Sequence, residues 1–323
     1  MSFLSRAAPF AACLTWAALA PMAEARPVSY PGGWTVMQMN NGDSSSLHAH
    51  YSPTASDSIG FYAERNWAED VQFTGLQYNR LLKRWNGPSS QANTYFKLGV
   101  GQADPFGSES PELSGFAADW ETRRWFTSYE AKATDYAGNK SVRHSGRVGV
   151  APYIGDYGDL HTWLMLQVDN HPESNEPVTT TPLVRFFKGV QMVELGYTLE
   201  TEELLAAPAL ADETMDHSKM DHSKMDHSAH ADMVAEPNTD ADPAASAQTV
   251  TAKVNGLVCD FCAQAVRKVF KKQDAVESVN VDLDNGEIVL GLKAGATMDD
   301  QTIEKLIRKS GYSLVSIDRG GDA

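Results

Sequence analysis

From residue 30 to residue 199, apolar and polar positions alternate with a period of two. In Tyr95-Phe96-Lys97-Leu98-Gly99-Val100-Gly101, the residues Phe96, Leu98 and Val100 share one face while Lys97, Gly99 and Gly101 share the other. Val148, Val150 and Ile154 repeat the pattern, as do Leu164, Leu166 and Val168. Turn chemistry separates these runs at Asn40-Asn41-Gly42-Asp43, Ser52-Pro53, Asn86-Gly87-Pro88, Ala137-Gly138-Asn139 and Gly155-Asp156-Tyr157-Gly158-Asp159. No helical period persists. The pattern predicts an all-β unit of about ten or eleven strands, many of them roughly 8–12 residues long.

Two architectures fit such strands. A soluble sandwich buries the apolar face, whereas a transmembrane barrel turns it to lipid and lines its lumen with polar residues and glycine. The strands are long, the second face carries Lys, Arg, Glu and Gly, and aromatics cluster near strand ends at Trp34, Trp67, Trp85, Trp120, Trp163, Tyr153 and Tyr157. In these respects residues 30–199 resemble bacterial outer-membrane β-barrel proteins. One feature departs from that group, whose chains end on an aromatic closing strand. Here the last clear strand, Gln191 to Leu199, runs into acidic sequence, so closure needs an atypical strand or a further segment. His48 and His50 share a strand face, as metal ligands do, although a lumen-facing, hydrogen-bonded pair is the commoner arrangement. Asp119, Glu121, Arg123 and Arg124 are expected to form an interior salt-bridge network.

Residues 1–25 have the layout of a secretory signal peptide: Arg6, an apolar run from Ala7 to Ala20, then Ala23-Glu24-Ala25. The run is short for a membrane-spanning helix, which needs about 20 residues. A mature chain starting near Arg26 keeps two of the three cysteines, Cys259 and Cys262. The β-rich domain is then 26–199.

The formal net charge of −15 argues against a nucleic-acid partner. It is also uneven: residues 200–248 hold 12 of the 42 acidic residues and 2 of the 27 basic ones. Within this stretch Met-Asp-His-Ser-Lys recurs, setting Met215, Met220 and Met225 in register with His217, His222 and His227, and followed by His230 and Met233. A period of five suits neither helix nor strand, so residues 200–248 are expected to be a disordered acidic linker. Thioether sulfur is a soft ligand suited to Cu(I), and imidazole accepts Cu(I), Cu(II) and Zn(II). The eight Met and His residues are therefore candidate secondary metal ligands.

Residues 249–319 follow a strand–helix–strand–strand–helix–strand order. Thr249–Val254 alternates, and Cys262–Lys272 carries Ala265, Val266, Val269 and Phe270 at helical spacing. A hairpin of Val276–Leu283 and Glu287–Leu292 turns at Asp284-Asn285-Gly286; a second helix, Asp299–Lys309, and a strand from Tyr312 to Ile317 complete the unit. Cys259 and Cys262 fall where a loop meets a helix N-terminus, a position that favours thiolate and suits either a redox pair or a soft-metal site. A thioredoxin-like redox fold needs a larger, parallel unit than 70-odd residues supply. Gly256-Leu257-Val258-Cys259-Asp260-Phe261-Cys262, the element order, and Gly311-Tyr312 before the last strand resemble the heavy-metal-associated domain. The resemblance implies a small α+β, ferredoxin-like fold with Cys259 and Cys262 as ligands and transfer of a soft metal to partner proteins by thiolate exchange. Leu257 stands where the family usually has methionine. Tyr312 stands where bacterial members often carry an aromatic near the metal loop, or else simply packs on the core.

The combined expectation is a non-enzymatic, exported protein of the cell envelope. It has an outer-membrane barrel, a periplasmic C-terminal tail, and a heavy-metal cargo for which Cu(I) ranks first and Hg(II) and Zn(II) follow. A metal-donor or acceptor protein is the expected partner. The alternatives are an outer-membrane pore or transporter with a metal-binding tail, and a thiol-disulfide oxidoreductase. No catalytic constellation is identifiable.

Overall fold

The computed structural model describes residues 26–40, 44–67, 70–104, 112–136, 139–174, 176–189, 191–213 and 248–320. The expected signal peptide (1–25) and the Met-His repeat (215–233) lie outside the described residues. Twelve antiparallel strands form a closed barrel in which each pairs with its chain neighbour and the last pairs with the first. They are β1 Gly33–Asn40, β2 Ser44–Ser52, β3 Asp57–Asn66, β4 Val71–Asn86, β5 Gln91–Asp104 and β6 Glu112–Glu121. The second half comprises β7 Trp125–Tyr136, β8 Asn139–Val150, β9 His161–Asn170, β10 Val178–Lys188, β11 Gln191–Thr198 and β12 Glu203–Glu213.

The two-residue alternation sorts side chains as expected. Leu76, Val100, Phe116, Val148, Leu166 and Leu195 point outward and are exposed; Tyr62, Phe73, Tyr95, Asn79 and Gln167 point inward and are buried. An exposed apolar band on strands that alternate with a polar inner face is the pattern a transmembrane barrel turns to lipid. The interior is polar but filled. Glu194 accepts from Arg147 at 2.7 Å and Arg185 at 2.6 Å, Glu64 accepts from Lys132 at 2.5 Å, and Lys97 donates to Glu130 at 2.7 Å. Removing one member of such a buried pair strands its partner, at a cost of about 3–5 kcal/mol.

The barrel extends past the expected boundary at 199. Its closing strand, β12, comes from the head of the segment read as linker, and brings the strand count to twelve. β12 pairs with β11 from Thr198↔Glu203 to Gln191↔Leu210, and with β1 from Asn40↔Ala206 to Gly33↔Glu213. This is the further segment that the acidic run after Leu199 called for.

The C-terminal unit has β13 Gln248–Asn255, α1 Asp260–Lys271, β14 Val276–Asp282, β15 Glu287–Leu292, α2 Asp300–Lys309 and β16 Ser313–Gly320. The sheet order is β14-β15-β13-β16, with antiparallel pairing throughout. Val250, Ile288, Leu290, Phe270, Ile303 and Ile307 form a core with no exposed surface. The α2 N-cap is Asp299, whose side chain accepts from the Thr302 N–H at 2.7 Å. The turn after β14 is held by Asp282, which accepts from the N–H groups of Asp284 and Asn285.

Two outcomes are expected. A chain ending at residue 199 lacks the closing strand and fails to give heat-modifiable migration on refolding in detergent; a chain ending at 213 closes. The hydrogen bond from the Thr302 N–H lowers the Asp299 pKa, so its contribution is present above the unfolded value of about 3.9 and lost as pH falls through the lower folded value. Asp299→Ala therefore lowers the thermal midpoint of the C-terminal domain at neutral pH, and the gap to wild type narrows below about pH 4.

Candidate metal site

Counting strand directions from β1, one end of the barrel carries the N-terminal segment, the β2–β3, β4–β5 and β6–β7 turns, the β8–β9 loop, the β10–β11 turn and the exit of β12. The C-terminal domain rests against this end. The Gly256 N–H donates to Gly87 O at 2.9 Å, and Gln91 Nε2 donates to Gly256 O at 3.1 Å. Asn86 Nδ2 reaches Gly311 O at 3.1 Å and Ser313 Oγ at 3.2 Å. Arg123 pairs with Asp284 while donating to Gly155 O. From α1, Lys268 donates to the Tyr30 hydroxyl at 2.8 Å, and Arg267 stacks over Tyr157. Tyr30 and Tyr157, both from the barrel section, join the core cluster of the C-terminal domain.

Two glycines make the close approach possible. Gly256 (φ +89) and Gly311 (φ +92) both occupy the left-handed region, which costs glycine little. A Cβ at Gly256 would run into the Asn86 side chain, and one at Gly311 into Arg84. Both thus meet the backbone-conformation requirement and the space requirement at once.

The loop that follows Gly256 is the metal loop of the sequence expectation. Leu257 and Val258 are buried in the core. Cys259 is half-buried and forms the N-cap of α1 in an extended conformation, its carbonyl accepting from the Ala263 N–H at 3.1 Å and its thiol making no capping bond. α1 starts at Asp260, earlier than the expected Cys262, so Cys262 is the third residue of the helix. The side chains of Asp260, Phe261 and Cys262 lie outside the described set. Both cysteines belong to the first turn, where the unpaired N–H groups and the helix dipole favour negative charge. Tyr312 packs in the core.

Arg26, which no sequence pattern singles out, joins this rim. The guanidinium donates to Gln91 Oε1 at 2.6 Å, pairs closely with Glu121 and lies 4.0 Å from Asp119. Burial opposes its charge, but Glu121 and Asp119 outweigh that and hold it ionised well above its usual pKa, with Cys259 acting in the same sense. The coupling is mutual: Arg26 places positive potential at the Cys259 sulfur. The predicted network of Asp119, Glu121, Arg123 and Arg124 does not form among those four residues. The two acids serve Arg26, and Arg123 faces the C-terminal domain. Tertiary partners, unlike strand pattern, leave no periodic mark on a sequence. Among the described residues no group of three or more His, Cys, Asp or Glu is placed to hold a metal.

Residues 251–313 match the heavy-metal-associated domain family. They form a heavy-metal-associated domain. The match covers the β13–α1 loop with both cysteines and ends at the start of β16. The barrel has looser likenesses among solved structures. A KdgM porin covers 57% of this chain and 99% of its own at 7% identity and a TM-score of 0.38. OccK8 (OprE) of Pseudomonas aeruginosa covers 54% and 61% at 6% identity and a TM-score of 0.31. No curated protein matches the chain.

Gly256→Ala is expected to loosen the domain from the barrel, since the new Cβ and Asn86 cannot share the space. With strain of about 1–3 kcal/mol at such a position, amide exchange of residues 86–91 and 256–259 accelerates roughly tenfold or more. Gly295→Ala, at a turn with positive φ but open space around it, leaves that exchange unchanged.

Proposed function

We propose that this protein binds a soft heavy-metal ion, with Cu(I) first and Hg(II) and Zn(II) behind it, through Cys259 and Cys262, and handles it at the outer membrane. The observation that carries this reading is a heavy-metal-associated domain whose two cysteines open α1. Two thiolates three positions apart at a helix N-terminus hold a soft ion in near-linear geometry. Thioether and imidazole donors of Met215, His217, Met220, His222, Met225, His227, His230 and Met233 precede the domain in the chain. In this reading they collect ions weakly and pass them to the cysteines. A barrel with an apolar exterior supports the membrane location. Both ends of the barrel chain emerge at the rim that carries the C-terminal domain, and this reading takes that rim as the periplasmic one. The domain then exchanges metal with a donor or acceptor protein on the periplasmic side. Sequestration and transfer both serve metal resistance.

The oxidoreductase alternative loses support from the antiparallel pairing around the cysteines, because a thioredoxin-like unit is built on parallel βαβ pairing. The open-pore alternative loses support from the filled interior, where Phe73, Tyr95, Asn79, Gln91 and Asn93 have at most 1% exposure.

The test is isothermal titration of the 214–323 fragment, which leaves out β12, with Cu(I). Wild type is expected to bind one ion tightly and further ions weakly. Cys259→Ser/Cys262→Ser loses the tight ion and keeps the weak ones; an unchanged stoichiometry in that variant sinks the ligand assignment.

A further inference from the structure

Inside the barrel, away from the cysteine loop, three buried polar atoms stand without a hydrogen-bond partner along one row of paired positions. They are Thr35 Oγ1, His50 Nε2 and Gln77 Oε1. The register runs Thr35↔His50 across β1–β2, His50↔Gly60 across β2–β3, and Gly60↔Gln77 across β3–β4. Gly60 leaves the row without a side chain between His50 and Gln77. Leaving a buried polar atom unpaired costs about 1–3 kcal/mol, and three on one row mark a place shaped for something polar.

The adjacent row supplies soft donors. Met37 faces His48 directly across β1–β2, and Met37 packs inward against the cluster containing Met165, Met192 and Trp163. The His48 and His50 rings lie 5.7 Å apart, centre to centre, at 89°. With a metal–nitrogen bond of about 2.0–2.1 Å and the ring centre about 1.1 Å behind the nitrogen, two imidazoles on one ion have centres about 5.2 Å apart at a tetrahedral angle and about 6.4 Å apart when linear. The observed spacing falls between these, near the trigonal value. A thioether from Met37, within reach of the facing position, completes a trigonal set.

The surroundings of His50 are those of a ligand. Its Nδ1 lies 3.3 Å from the Asn79 side-chain amide, which also contacts Ser58 at 3.0 Å and Gln77 at 2.8 Å. An amide's oxygen and nitrogen exchange places without altering these distances. With the Asn79 and Gln77 amides turned over, and the single Ser58 hydroxyl proton given to Asn79 in place of Pro27 O, Asn79 accepts from Nδ1–H and the Nε2 lone pair faces the lumen, the outer-shell bond that orients a metal-binding histidine. The lumen cations Lys97 and Lys132 are each paired with a carboxylate, Glu130 at 2.7 Å and Glu64 at 2.5 Å.

We propose that Met37, His48 and His50 form a second soft-metal site inside the barrel, selective for a monovalent d10 ion such as Cu(I) or Ag(I). Thioether and imidazole are the donors these ions accept, and the absence of a carboxylate in the set disfavours hard divalent cations.

The site is testable independently of the cysteines, in the full chain refolded in detergent with Ag(I) as probe. In a background of Cys259→Ser/Cys262→Ser, with Ser also replacing the Met and His residues of 215–233, about one Ag(I) is expected to stay bound through equilibrium dialysis. His50→Ala and His48→Ala each weaken it at least tenfold, and Met37→Leu, which preserves volume, weakens it less. Heat-modifiable migration reports whether each variant has folded; should the histidine variants fail to fold, Met37→Leu alone decides, an unchanged affinity overturning the site. A background that retains no Ag(I), or a folded His48→Ala/His50→Ala variant that retains it, also overturns the proposal and leaves the cysteine site untouched.

Discussion

Everything in this molecule depends on closure of the seam between β1 and β12. In a bilayer no water is present to satisfy backbone N–H and C=O groups, so an open edge is untenable and the sheet must meet itself. β12 completes that circuit by pairing on both sides, with β11 and with β1. Closure sets the two chain ends of the barrel side by side at one rim, and it encloses the lumen in which buried ion pairs and the His48–His50 pair persist.

The rim is where the two folds become one object. Residues 26–30 lie between the barrel mouth and the metal loop: Arg26 on Glu121 and Gln91, Pro27 accepting from Ser58 at 2.5 Å, Ser29 donating to Ser52 at 2.9 Å, and Tyr30 under α1. Ser58 also contacts Asn79, which contacts His50. A chain of polar contacts therefore runs from the Pro27 carbonyl at the rim through Ser58 and Asn79 to His50 in the lumen. At the rim, the Arg26 guanidinium faces two carboxylates, those of Glu121 and Asp119.

How much could be read from the chain alone follows from which forces leave a periodic trace. Strands with one face in lipid and one in a polar lumen alternate, so β5, β8 and β9 were plain in sequence. β12 was not. Leu205 and Ala207 face inward and are apolar like the outward Leu204, so its alternation is erased. Pro208 and three acidic residues then gave it the composition of a linker. The C-terminal domain was legible element by element because helix period and the Asp-Asn-Gly turn are local signals. α1 began two residues early because Cys259, with no capping side-chain bond, still adopts the extended N-cap backbone. The roles of Arg26, Asn86 and Gln91 arise from contacts across more than 60 positions of chain, and nothing near those residues announces them.

The position of the closing strand has a consequence for the chain's history. Because β12 ends at Glu213 and the heavy-metal-associated domain begins after it, the domain interrupts no hairpin of the barrel. It is an appendix in the topological sense, joined by one covalent link and by contacts made at Gly87, Asn86, Gln91, Arg123 and Tyr30. Such an arrangement leaves the strand order of the barrel independent of the domain. Its refinement then falls to the rim residues, where Gly256 and Gly311 already record the accommodation of one fold to the other.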